Sequence, residues 1–228
     1  VAVKPQIACF ERLGWPGWRA LENVCVAAGE SGLLTIADGK RGDVPVSARA
    51  YGQAMVGQTP TPWGPVAGLG VDAFTANPLL GADSLEPLVA AAEQAGSGLF
   101  ALVRTSNSGA ADIQDLESRE GPVHERLAAM VDRFSGRLAA EAGRLSGMGA
   151  VVGATEPEHI ARLRSIMPRA ILLIPGVGAQ GGRPEDLGPA FIPGRAGALV
   201  AASRSIAGAK EPAEAAERLR ESVWQVSG

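Results

Sequence analysis

Seven short apolar runs, at 1–3, 33–37, 71–75, 99–103, 149–153, 171–174 and 198–200, alternate with stretches of helical spacing. Helices are expected at 15–29, 45–55, 83–94, 122–145, 157–167, 184–191 and 212–226, the first with Trp18, Leu21, Val24 and Cys25 on one face. Asp83 and Thr155 are the expected N-terminal caps of their helices, and 58–70, rich in Pro and Gly, reads as loop. Apolar strands that alternate with helices make βα units, and βα units make a parallel sheet covered on both faces.

Polar residues cluster just behind the strands: Lys4, Asp38, Lys40, Asp72, Ser106, Gln180 and Arg204. In a (β/α)8 barrel all such loops open on one face, and that face hosts the chemistry. The competing open, doubly wound sheet calls for a Gly-rich phosphate turn behind its first strand, and none follows 1–3. The expected fold is a (β/α)8 TIM barrel, with 1–228 as a single domain. Seven strands leave two edges unpaired, so one βα unit, the N-terminal one, is expected to be absent from this sequence.

Composition narrows the function classes. A chain of 228 residues with 46% hydrophobic content can build one large core. Its net charge of -3, with no basic run and no interleaved aromatics, argues against nucleic acid as a partner. No apolar run reaches the roughly 18 residues of a membrane helix, and no signal peptide is visible. Cys9 and Cys25 lie among apolar residues and read as small buried hydrophobes of a cytoplasmic chain.

The densest chemistry lies in Asp38-Gly39-Lys40-Arg41-Gly42-Asp43, directly behind the apolar run Leu33-Leu34-Thr35-Ile36-Ala37. A spacing of two puts Asp38 and Lys40 on one face of a strand. Flanking acids favour the ammonium form of a lysine, which makes it a poor nucleophile and a good carrier of charge and of one proton. Lys4 ends the neighbouring strand, and neighbouring strands lie about 4.8 Å apart. Lys4, Asp38, Lys40 and Asp43 can therefore form an alternating array.

A second constellation lies towards the C-terminus. Pro175 to Gly182 carries four glycines, whose backbone N–H groups can approach an anion closely. Arg204 follows the last strand, and the loops behind the last two strands of a barrel often hold phosphate, which an Arg can clamp with two hydrogen bonds. Thr105-Ser106-Asn107 offers donors and acceptors for a polar ring. His124 and His159 read as solvent-facing helix residues, and no Cys/His cluster shows metal spacing.

Taken together, these stretches resemble the orotidine 5'-phosphate decarboxylases, in the group with an Asp-Ala-Lys-Arg-Gly-Asp signature. Further matches run in family order: Val3-Lys4-Pro5-Gln6, Asn77-Pro78 with Asp83-Ser84-Leu85, Arg104-Thr105-Ser106-Asn107, Val152-Gly153-Ala154-Thr155, the Pro175–Gly182 stretch and Ser203-Arg204. The resemblance implies loss of CO2 from orotidine 5'-phosphate to give UMP, with neither metal nor organic cofactor. It implies that Lys4, Asp38, Lys40 and Asp43 form the charged array, with Asp43 reaching the other site of a homodimer and Ser47 nearby, where Thr is more usual. Ser106 would contact the pyrimidine, Pro175 would line the pocket of the leaving carboxylate, and Gln180 and Arg204 would hold the phosphate. Gly39 departs from the family's Ala, Ser108 from its Pro, and the family's first strand, with a ribose-binding Asp, has no counterpart here.

Two other readings share this scaffold. A magnesium-dependent sugar-phosphate decarboxylase or aldolase would need acidic ligands such as Asp72. A non-catalytic barrel would bind nucleotide or only dimerise.

Overall fold

The computed structural model describes residues 1–139 and 143–228. They form two compact units, Val1–Ala101 and Leu102–Gly228.

The first unit runs β1 (Ala2–Val3), α1 (Ile7–Glu11), α2 (Trp15–Glu30), β2 (Leu34–Arg41), α3 (Pro45–Met55), the small hairpin β3 (Gln58–Thr59) and β4 (Val66–Ala67), β5 (Ala73–Ala76), α4 (Ala82–Ala95) and the start of β6 (Gly98–Arg104). The pairings β1–β2, β2–β5 and β5–β6 are all parallel. Apolar residues at helical spacing explain the covering layer: α2 buries Leu21, Cys25 and Ala28, and α4 buries Leu85, Leu88, Val89 and Ala92. Helices α3 and α4 touch closely because Gly52 has no side chain; a Cβ there would lie 2.7 Å from the Cβ of Ala91.

The second unit continues from β6 through α5 (Ala111–Gln114), the hairpin β7 (Glu117–Ser118) and β8 (Gly121–Pro122), α6 (Val123–Phe134), β9 (Ser146–Val152), α7 (Glu158–Ile166), β10 (Ala170–Ile174), the 3-10 helix Pro184–Phe191, β11 (Ala198–Val200), α8 (Arg204–Ala207) and α9 (Pro212–Val226). Strands β9 and β11 pair in parallel with β10. In the first unit the strand order β1-β2-β5-β6 follows the chain without a reversal, and in the second β9-β10-β11 does the same. A doubly wound sheet reverses its order at a switch point, so the open-sheet alternative is excluded.

Several boundaries differ from the sequence expectation. β2 runs on to Arg41 and so contains Asp38 and Lys40 instead of ending before them. The helix expected at 122–145 ends at Phe134, and 140–142 of that stretch lie outside the described residues. The segment 58–70 contains a hairpin. Neither Asp83 nor Thr155 caps its helix: Gly81 and Pro157 stand at the cap positions, without a side-chain bond.

One buried cation organises the second unit. Arg164 donates from Nη1 to the carbonyls of Met167 and Ala170 and from Nη2 to those of Ala190 and Gly197, at 2.6–2.9 Å. It ties α7 to the ends of three other segments. Burial pushes its pKa down to about 10, which still leaves it charged at neutral pH.

Candidate active site

In the first unit the charged side chains converge on Asp38, which is 5% exposed. Lys4 Nζ donates to its Oδ2 at 2.5 Å, and Lys40 Nζ donates to its Oδ1 at 2.6 Å. The Thr75 hydroxyl adds a bond to Oδ1 at 3.0 Å, and Gln6 Nε2 one to Oδ2 at 3.3 Å. Burial alone would raise the Asp38 pKa; the two ammonium groups more than offset it and hold the carboxyl below its ordinary value. An anion with four donors around it is fixed in place.

Lys40 reaches Asp38 by more than strand alternation. The register between β2 and β5 shifts between Ala37 and Arg41. Lys40 takes φ +49, and its backbone N–H donates to Thr75 Oγ1 at 2.8 Å. A left-handed conformation is unfavourable for a residue with a long side chain and persists only when its surroundings impose it. Here the Thr75 hydroxyl does so from both sides, accepting from the Lys40 backbone and donating to the acid that holds the Lys40 amine.

Asp43 stands apart from this triad within the chain. Its Oδ1 accepts from the Val44 N–H at 2.7 Å, just ahead of α3, where Ser47 lies half-buried in the first turn. Gly42 is required by crowding, since a Cβ would lie 2.4 Å from the Asn77 carbonyl oxygen. At Gly39 a Cβ would meet only the tip of the Ile7 side chain, Cδ1, at 2.9 Å, so a methyl group there requires no more than a small shift of Ile7. Asp72, the acid a magnesium reading would use, accepts from both the N–H and the hydroxyl of Thr35, at 2.8 and 2.9 Å.

The second unit holds the remaining sequence candidates. Ser106 and Gln180 line one cavity of about 530 Å³, with Arg104, Asn107, Asp115, Thr155 and His159. Gly153 lets β9 end against Ser106: a Cβ there would lie 2.8 Å from Ser106 Cα. Pro175 leaves β10, and its carbonyl accepts from the Ala154 N–H at 2.9 Å. The Gly-rich segment closes on itself through Gly178 N–H to the Gly182 carbonyl and Gly182 N–H to the Gly176 carbonyl, with Gly176, Gly178 and Gly181 all at positive φ. Among the described residues the N–H groups of Ala179 and Gln180 have no backbone partner, so they remain available to an anion. Arg204 is exposed in the first turn of α8 and pairs with no acid among the described residues.

Sequence reasoning missed a network behind Ser106. Arg104, 5% exposed, binds Asp115 with Nε and Nη2 at 2.8 and 2.9 Å, and its Nη1 donates to the Thr105 carbonyl at 2.7 Å. His124 Nδ1 lies 2.9 Å from the Gln114 carbonyl and 3.1 Å from Asp115 Oδ1. His124 is therefore buried, not solvent-facing, and His159 is half-buried against it with ring centroids 4.6 Å apart. The two histidines are 35 residues apart in sequence and meet through the packing of α6 on α7; no local spacing encodes that. The cysteines also divide: Cys25 is buried as expected, whereas Cys9 is exposed.

The family model for the orotidine 5'-phosphate decarboxylase / HUMPS family matches residues 1–219. An orotidine 5'-phosphate decarboxylase of Deinococcus radiodurans is 46% identical over 204 residues, covering 90% of this chain and 70% of its own. One of Rhodopirellula baltica is 41% identical over 226 residues, covering 98% and 72%. The chain belongs to this family. Solved structures agree on the fold. A candidate orotidine-monophosphate decarboxylase of Toxoplasma gondii aligns with a TM-score of 0.83 at 28% identity, over 98% of this chain and 79% of that one. The OMP decarboxylase of Leishmania donovani aligns at 0.77 and 31%, over 99% and 81%. The fold is the (β/α)8 type of these decarboxylases, as the strand order indicates.

Proposed function

We propose that this chain decarboxylates orotidine 5'-phosphate to UMP in de novo pyrimidine synthesis, in the cytoplasm and without metal or organic cofactor. The observation that carries the proposal is the Lys40 ammonium held 2.6 Å from a buried Asp38, which Lys4 and Thr75 fix in turn. In the reaction the bond from C6 of the ring to the carboxylate carbon breaks, CO2 leaves, and the electron pair stays on C6. Lys40 stabilises that carbanion by its charge and then gives it a proton, forming the C6–H bond of UMP. Asp38 keeps the amine aimed. A preorganised ammonium does not have to reorient as charge develops, which is why a fixed lysine outperforms water.

Ser106 would contact the pyrimidine, and Pro175 would line the space of the leaving carboxylate. Gln180 and Arg204, with the open N–H groups of Ala179 and Gln180, would take the phosphate. Binding energy from a remote phosphate can be used to organise the reacting centre. The chain would act as a homodimer in which each Asp43, with Ser47 nearby, reaches the other copy's site. Exposed Val44, Val46, Leu79 and Leu80 around Asp43 support an apolar interface there, because Asn77 is hydrogen-bonded to Arg41 and brings its loop alongside.

Mixing the protein with orotidine 5'-phosphate tests the reading. Substrate absorbance should fall to that of UMP and be unaffected by EDTA. UMP binding without turnover would favour the non-catalytic barrel. Activity abolished by EDTA and restored by magnesium would favour the sugar-phosphate reading.

A further inference from the structure

Gln114 closes α5 and is not among the residues that line the Ser106 cavity. Its side-chain amide nevertheless holds the residue just before Ser106 at two points. Oε1 accepts from the Thr105 N–H at 2.8 Å, and Nε2 donates to Thr105 Oγ1 at 3.1 Å. We propose that Gln114 is a positioning residue for pyrimidine recognition: it fixes Thr105 and, through Thr105, the place of the Ser106 hydroxyl. The inference rests on the Ser106 contact proposed above and adds the residue that holds it.

β6 ends at Arg104, so Thr105 and Ser106 lie beyond the strand. The peptide groups around Thr105 are held one by one. The Arg104 carbonyl accepts from the Gly153 N–H at 2.7 Å, and the Thr105 carbonyl accepts from Arg104 Nη1 at 2.7 Å. The Thr105 N–H is taken by Gln114. A hydroxyl has one proton to give. Thr105 gives its own to Asn107 Oδ1 at 2.7 Å, which leaves Oγ1 free to accept from Gln114 Nε2.

Gln114 is itself anchored. Its backbone carbonyl faces His124 Nδ1 at 2.9 Å, and the adjoining Asp115 pairs at two points with Arg104. The end of α5 is thereby tied both to α6 and to the end of β6.

Ser106 also has little room of its own. A Cβ at Gly153 would lie 2.8 Å from its Cα, and one at Gly176 would lie 3.0 Å from its Cβ. With two glycine backbones packed against it, Ser106 shifts only if the Thr105 peptide moves, and Gln114 restrains that peptide. A recognition group held within about 0.5 Å of its productive place needs such support from residues behind it.

The test is a double-mutant cycle on UMP affinity, read by calorimetry on the full chain. Gln114→Leu keeps the bulk, removes both side-chain bonds and should weaken UMP by about five- to tenfold, the effect of one lost hydrogen bond. In the Ser106→Ala background the same change should cost less than about twofold, because the group it positions is gone. Gln114→Glu keeps an acceptor for the Thr105 N–H and should bind UMP within about twofold of wild type. Gln114→Ala repeats the cycle if urea unfolding shows that the Leu variant does not fold. Wild-type affinity in Gln114→Leu, an equal loss with and without the Ser106 hydroxyl, or no rescue in Gln114→Glu would overturn the positioning role. Unchanged affinity in Ser106→Ala would overturn the Ser106 contact and this inference together. Wild-type protein that binds UMP but does not decarboxylate orotidine 5'-phosphate would count against the proposed function alone.

Discussion

Replacing Asp38 by Asn removes one buried negative charge and leaves two ammonium groups facing a neutral amide. Asn can still accept from Lys4 or Lys40 and from Thr75, so the loss is chiefly Coulombic. Breaking a buried ion pair by removing one partner costs about 3–5 kcal/mol. The Lys side chains are 24% and 41% exposed, so water recovers part of this. The expected loss for Asp38→Asn is about 2–4 kcal/mol at pH 7. Urea unfolding followed by tryptophan fluorescence reads it directly. Because the folded-state pKa of Asp38 lies below its ordinary value, its contribution is full above the unfolded value of about 3.9 and disappears as pH falls through the folded one. The gap between wild type and variant should therefore narrow below about pH 4. A gap under about 0.5 kcal/mol at pH 7, or one that stays constant into acid, would refute this account of the triad.

Three further outcomes are expected. Arg164→Met strands four buried carbonyl oxygens and should destabilise the protein by about 3–5 kcal/mol in the same urea assay. Gly153→Ala should force Ser106 away, raising KM for the nucleotide while costing about 1–3 kcal/mol of stability; an unchanged KM would separate Ser106 from the substrate. Arg204→Ala, at an exposed position, should leave stability intact and weaken both UMP affinity and turnover.

Much of the fold was legible because parallel strands are short, apolar and punctuated by loops. The helices Pro45–Met55 and Pro212–Val226 and the strand Ala198–Val200 start and stop where the sequence places them. The expected helix at 122–145 failed after Phe134, since helical spacing alone does not tell a continuing helix from a turn. At the site, the spacing of Asp38 and Lys40 predicted that they would meet, and Lys4 followed from strand adjacency. The left-handed Lys40 and its dependence on Thr75 were not legible, because a register shift between strands leaves no local signature. The Arg104–Asp115–His124 network escaped for a related reason: its members come from a strand end, a short helix end and α6, and only tertiary packing unites them.

Lys40→Ala provides the most direct test of the central claim. Steady-state decarboxylation and UMP titration would be measured on the same folded sample. The account predicts that turnover disappears while most of the nucleotide affinity remains, since the amine serves the carbanion and the phosphate is held elsewhere. Turnover close to wild type in Lys40→Ala would contradict it.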